Sequence, residues 1–142
     1  MTEPTRVVYW DASAVLPLLF AGSHTGAASA WMTLDGTAHL LSSLAYAETS
    51  AVIARLQRER ALSDVLAGTA WNSLASWPWR RITVQPDWEI VSPLARKWPL
   101  RGADLWHLAC ARGLQRQLPE LHLLTFDARL QEATRGEGLL QP

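Results

Sequence analysis

Short apolar runs of strand length alternate along this chain with longer stretches of helical periodicity, and that rhythm limits the fold more than any other feature. Val7-Val8-Tyr9-Trp10, His39-Leu40-Leu41, Arg81 to Val84 and Leu121 to Thr125 read as strands. Between them lie patterns too long for hairpin turns: Ala12 to Phe20, His24 to Leu34, Leu44 to Arg60, Leu62 to Ser76, Pro86 to Lys97 and Ala103 to Gln117. A strand that returns through a helix runs parallel to its predecessor, and a parallel sheet needs both faces covered. The expected class is therefore α/β, with a mostly parallel sheet between helices. Ser42-Ser43 are good N-caps for the third helix, and Leu62 to Ser76 should fold back on it as an αα-hairpin. A short helix opening at Asp127 and an edge strand at Leu139-Leu140 complete the expectation.

The chain has 142 residues, the size of one domain, and residues 1–142 are expected to form a single one. With 49% hydrophobic and 18% charged residues, it lies far from the composition of a disordered chain. Formal net charge is zero, so bulk charge does not attract nucleic acid, and any such contact must come from a local patch. The single cysteine, Cys110, rules out an intramolecular disulfide and suits a reducing, cytoplasmic setting. The apolar run from Val7 to Phe20 is interrupted by Asp11 and Pro17 and lacks a basic flank and cleavage site, so it is not expected to be a signal peptide or a membrane span.

Four acids fall where the core elements end or begin. Asp11 follows the first strand and Asp127 the last long one, and open α/β sheets bind ligands at that carboxyl edge. Each also precedes a helix, where a carboxylate caps backbone N–H groups, so capping and ligand binding both fit. Asp104, in the first turn of its helix, shares a face with His107, Leu108, Ala111, Leu114 and Leu118. Glu48 stands at the shoulder of Ala45, Thr49, Val52, Ile53 and Leu56, where a pair with Arg55 or an exposed edge is the alternative. Acids beside buried stripes cost free energy unless paired, capped or bound to a cation. An oxygen cluster of this kind suits Mg²⁺ or Mn²⁺, while the cysteine and histidine spacing of a zinc site is missing. Such an ion activates water and neutralises phosphoryl charge, which points to phosphodiester hydrolysis.

These residues resemble the PIN domains, and within them the VapC ribonuclease toxins of toxin–antitoxin pairs. Four segments carry the resemblance: Val8-Tyr9-Trp10-Asp11-Ala12-Ser13-Ala14-Val15-Leu16, then Ala47-Glu48-Thr49 with Arg55, then Leu100-Arg101-Gly102-Ala103-Asp104-Leu105-Trp106-His107-Leu108-Ala109, and Leu124-Thr125-Phe126-Asp127-Ala128-Arg129-Leu130. They occur in the family's order from Val7 to Leu139. The resemblance implies a PIN-like three-layer α/β/α sandwich, Mg²⁺ or Mn²⁺ held by Asp11, Glu48, Asp104 and Asp127, and Ser13 as a supporting polar group. It also implies an endoribonuclease with RNA as substrate, a small antitoxin as partner and a homodimer, with no membrane attachment. Two departures stand out: Trp10 is bulkier than the aliphatic residue usual before the first Asp, and Pro17 lies inside the first helix.

Other residues have open readings. His107 either orders the acidic site or is a hydrogen-bonded core histidine. Trp98 and Arg101, in the loop before Asp104, are candidates for stacking on bases and for meeting phosphate, against packing and solvated charge. Three functional alternatives compete. A haloacid-dehalogenase-like phosphatase wants a second Asp where Ser13 stands and a Lys that Lys97, within a helix, cannot supply. A receiver-like Mg²⁺-binding module also needs a Lys at a strand end. A PIN fold kept only for binding partners would not need four intact acids.

Overall fold

The computed structural model describes residues 3–139. Its strands are β1 (Arg6–Trp10), β2 (Thr37–Ser42), β3 (Trp79–Ile82) and β4 (Leu121–Leu124), and its helices are α1 (Ala12–Leu19), α2 (Thr25–Met32), α3 (Ser43–Arg58), α4 (Asp64–Ser76), α5 (Trp88–Lys97), α6 (Gly102–Gln115) and α7 (Ala128–Gly136). All strand pairings are parallel, in the order β3-β2-β1-β4. Among the described residues no helix is long and apolar enough to cross a membrane.

β1, β2 and β4 bury almost all of their residues, as a covered parallel sheet requires, while the edge strand β3 leaves Arg80 and Arg81 exposed. Val7, Tyr9, Leu40, Leu121 and Leu123 point to one face and pack with Leu94 of α5, Leu108 of α6 and Leu130 of α7. Val8, Trp10, Leu41 and Leu124 point to the other and meet Ala14 and Val15 of α1, Ala28 of α2, Ile53 of α3 and Leu74 of α4. The result is the expected three-layer α/β/α sandwich. Each fully buried Leu, Ile or Val contributes about 1.5–3 kcal/mol relative to exposure, so the two cores together dominate stability.

Trp10 is absorbed by the second core. Its indole N–H donates to His39 Nδ1 at 3.0 Å, and it meets the Trp79 ring edge-on at 5.4 Å between centroids. That contact also explains a shift in β3, which the sequence pattern places at Arg81 to Val84. Trp79 already pairs with His39 and Ile82 ends the ladder beside Ser42, because the tryptophan rather than the β-branched Thr83 and Val84 fills the space under the sheet. Leu139 is buried and its carbonyl accepts from Leu123 N–H at 3.0 Å without forming a strand, and Leu140 lies outside the described residues. The αα-hairpin forms as expected, α4 packing on α3 and α1.

The strand order places a topological switch between β1 and β4: the chain leaves β1 toward β2 on one side and reaches β4 on the other. Crevices at such points, beyond the carboxyl ends of the strands, are where α/β sheets hold ligands. Asp11 caps α1 directly after β1, and Asp127 caps α7 just after β4.

Candidate metal centre

The four acids line one cleft at this switch point. Asp11, Glu48, Asp104 and Asp127 surround a space of about 360 Å³ together with Ser13, Val52 and Arg101. Each comes from a different segment: the end of β1, the second turn of α3, the first turn of α6 and the residues after β4.

Capping and ligation are compatible because a carboxylate has two oxygens. Asp127 accepts from Leu130 N–H through Oδ1 at 3.0 Å, which leaves Oδ2 for the cleft. Asp11 is 3% exposed. Its Oδ2 accepts hydroxyl hydrogens from Ser13 at 2.6 Å and Thr125 at 2.9 Å, and its Oδ1 lies 3.7 Å from His107 Nε2. Ser13 Oγ in turn accepts Phe126 N–H at 2.9 Å, and Thr125 Oγ1 accepts Asp127 N–H at 3.1 Å. Thr125, read from the sequence only as part of a strand, is thus a structural member of the site.

Glu48 is not paired with Arg55. Its Oε1 is 2.7 Å from His107 Nε2, and the opposite ring nitrogen, Nδ1, is 2.6 Å from the hydroxyl of Tyr9. Asp11, Glu48 and His107 each present a ligand atom, and these atoms lie within 4.8 Å of one another. Asp104 makes no comparable hydrogen bond. Burial first, then the charges of Asp11, Asp127 and Glu48, push its carboxyl up to about 6, with His107 opposing them. Burial likewise raises the Tyr9 hydroxyl far above the usual phenol range, helped by Asp11 and Glu48, so it stays protonated.

The donor set fits a hard divalent cation. Carboxylate oxygens predominate, no thiolate is near, and crowded negative charge is what a cation would relieve. Cys110 is buried, with its thiol pushed up to about 12 by burial and then by Asp87, and is no nucleophile. Arg101 lines the cleft and, with Asp104, Asp127 and Arg129, an adjoining recess of about 250 Å³. Trp98 stands elsewhere. It packs on the first core, and its indole N–H donates to Glu137 at 3.0 Å. The ring is part-buried there, outside the residues that line the acidic cleft, and packing on α7 is the role its contacts show. Loop position carries no periodicity from which the sequence could reveal this.

Comparison with known proteins agrees with this geometry. The sequence model of the PIN domain matches residues 8–136. Ribonuclease VapC45 and ribonuclease VapC49, both of Mycobacterium tuberculosis, are each 34% identical over 139 residues, covering 93% of this chain and 92% of theirs. Among solved structures, PAE2754 from Pyrobaculum aerophilum superposes with a TM-score of 0.63 at 18% identity, covering 92% of this chain and 81% of that one. The M. tuberculosis toxin VapC20, described as cleaving the sarcin-ricin loop, gives a TM-score of 0.59 at 17% identity over 89% of this chain and 94% of its own. VapBC2 of Rickettsia felis, solved with a promoter DNA fragment, gives 0.57 at 12% identity over 85% and 99%. With its family match running from β1 through α7 and its acids gathered where β1 and β4 end, this chain belongs to the PIN-domain family.

Proposed function

We propose that this chain is a metal-dependent endoribonuclease and the toxin of a toxin–antitoxin pair. One observation carries the reading: four carboxylates from four segments line a single cleft at the β1–β4 switch point, one of them, Asp104, pushed up to about 6 by burial and then by the charges of the other three. The relatives named as VapC ribonucleases, matched over nearly their whole length, support the same class of reaction.

Asp11, Glu48, Asp104 and Asp127 are the residues that would hold Mg²⁺ or Mn²⁺ in the cleft. Once bound there, such an ion supplies Lewis acidity toward a phosphoryl oxygen and makes water more acidic. The protein does the positioning. Ser13 and Thr125 fix Asp11 by their hydroxyls, Asp127 is fixed as the α7 cap, and Arg101 at the rim is placed to pair with a backbone phosphate. The setting is cytoplasmic and the partners are RNA, a small cognate antitoxin and a second copy of the chain. Trp88, 91% exposed, beside an apolar recess lined by Val84, Pro86, Val91 and Trp106, offers a surface for a partner to cover.

The phosphatase and receiver readings are not favoured, since each requires a lysine at the acids and Lys97 is paired with Glu137 at 2.7 Å. The test is cleavage of total RNA by purified protein. Cuts are expected with Mg²⁺ or Mn²⁺ and none in EDTA. Undiminished cutting in chelator would remove the metal mechanism, and a folded protein that cuts no RNA with either ion would favour an interaction module.

A further inference from the structure

Glu48 lacks the restraints that hold Asp11 and Asp127. It sits beyond the first turn of α3, with no backbone N–H to cap and with its side chain 31% exposed. A glutamate there has several rotamers, and a metal ligand that wanders among them loses affinity. The contact that holds it is His107 Nε2 at 2.7 Å. His107 is fully buried on α6, one turn beyond Asp104, and its other nitrogen faces the equally buried Tyr9 hydroxyl at 2.6 Å.

The proton positions follow from the partners. A carboxylate only accepts, so Nε2 must carry hydrogen; a neutral imidazole then offers Nδ1 as an acceptor, and the phenol is the group able to donate to it. One direction of donation satisfies every atom: Tyr9 O–H to Nδ1, then Nε2–H to Glu48 Oε1. The rival is ligation by His107 itself, since Nε2 also lies 3.7 Å from Asp11 Oδ1. Ligation would require Nε2 to give up its hydrogen, Tyr9 to turn from donor to acceptor and Glu48 to lose its donor. One short hydrogen bond, to Glu48, would be lost and the other, to Tyr9, reversed, in exchange for one ligand contact.

We propose that His107, in its Nε2–H tautomer and braced at Nδ1 by Tyr9, is a positioning residue of the candidate metal centre that fixes Glu48 through Oε1 and leaves Oε2 to the cleft. The proposal rests on the reading of that cleft as a metal centre. Partners that orient a ligand from outside typically change metal affinity by about 10–100-fold when removed.

The test combines ring-nitrogen NMR with Mn²⁺ calorimetry. In ¹⁵N-labelled wild type, long-range ¹H–¹⁵N correlations should show Nε2 protonated and Nδ1 bare without metal, and the same pattern with saturating Mg²⁺. His107→Leu should weaken Mn²⁺ binding about 10-fold or more, and His107→Gln, whose amide can still donate to Glu48, should recover most of it. Tyr9→Phe, in which only the Glu48 bond still holds the ring, should fold, keep Nε2 as the protonated nitrogen and bind Mn²⁺ more weakly than wild type. A protonated Nδ1 in wild type, loss of the Nε2 hydrogen on metal binding, or equal losses in His107→Gln and His107→Leu would each overturn the proposal. If His107→Leu does not fold, the tautomer and the Gln variant decide. Wild type that takes up no Mn²⁺ sinks the centre itself and the proposal with it, whereas tight binding by both wild type and His107→Leu sinks the proposal alone.

Discussion

Thr125 donates its hydroxyl to Asp11 Oδ2 at 2.9 Å, tying the residue after β4 to the residue after β1. The same threonine oxygen accepts Asp127 N–H at 3.1 Å, so one side chain restrains two of the four acids. Thr125→Val keeps the shape and removes both bonds. It leaves a buried carboxylate oxygen short of a donor and a backbone N–H without its acceptor, a loss of about 1–3 kcal/mol. A melting temperature several degrees lower is expected, and RNA cleavage should fall about tenfold. Ser13→Ala should behave alike, since Ser13 joins Phe126 N–H to the same Asp11 oxygen. Unchanged cleavage in both variants would mean Asp11 needs no such restraint.

Asp104 gives the metal-free protein a pH signature. Its carboxyl is pushed up to about 6, first by burial and then by the charges of Asp11, Asp127 and Glu48. An acid with a raised folded-state pKa binds more protons folded than unfolded, so stability falls as pH rises from about 4 to about 6. After allowance for solvent screening the loss is on the order of 1–2 kcal/mol. In EDTA, wild type should therefore melt lower at pH 7 than at pH 5, and Asp104→Asn should flatten that difference and melt higher at neutral pH. The variant should gain less from Mg²⁺ or Mn²⁺ and cleave little RNA, since removing a strained charge trades function for stability. Retained activity would take Asp104 out of the site.

Glu137 predicts the opposite slope away from the cleft. Burial alone would raise its pKa, yet hydrogen bonds from Lys97 and Trp98, with the charges of Lys97 and Arg112, hold it below the usual glutamate range. Its contribution to stability is present at neutral pH and is lost as pH falls below the ordinary glutamate range, through its lowered folded-state value. Trp98 stacks so closely on α7 that a β-carbon at Gly136 would collide with the indole. Trp98→Ala should cost about 2–4 kcal/mol, near the lower end of tryptophan truncations because the ring is only part-buried. RNA affinity of the folded protein should hardly change. A stable Trp98→Ala with weakened RNA binding would place the residue on the substrate path.

The sequence carried the layered fold and the four acids for different physical reasons. Strand-length apolar runs in a parallel sheet need no long-range knowledge to recognise, and Asp11 and Asp127 stand where such runs end. Asp104 and Glu48 were visible as charge beside a buried helical stripe. Tyr9 and Thr125 were not, because each reads as an ordinary strand residue, and their roles depend on partners 98 and 114 positions away. The two readings of His107 merge: it is a buried, hydrogen-bonded histidine whose bond reaches a site carboxylate. The packing of Trp98 was not legible because an aromatic residue in a loop has no repeating pattern to say which way it faces, and its partner Glu137 is 39 positions on.

Arg101 separates substrate binding from metal binding. It stands at the N-cap position of α6 without a side-chain cap bond, is exposed, and lines the cleft with Asp104 and Asp127 on one side and the recess with Arg129 on the other. With zero net charge on the chain, each local cation that meets a phosphate should stand out against little background. For single strands each neutralised phosphate contributes about 0.7 to the slope of log affinity against log salt. Arg101→Ala should make that slope shallower by about this amount and raise the RNA KM several-fold, alike for different sequences, because a phosphate contact carries no base information. Mn²⁺ affinity should stay near wild type, since a guanidinium is not a ligand. Lys97→Ala is the control: it removes the same charge, but Lys97 is held by Glu137 at 2.7 Å, so the slope should not change. Filter binding of both variants to one unstructured RNA across a salt series makes the measurement, and equal slopes for wild type and Arg101→Ala would place the RNA backbone elsewhere.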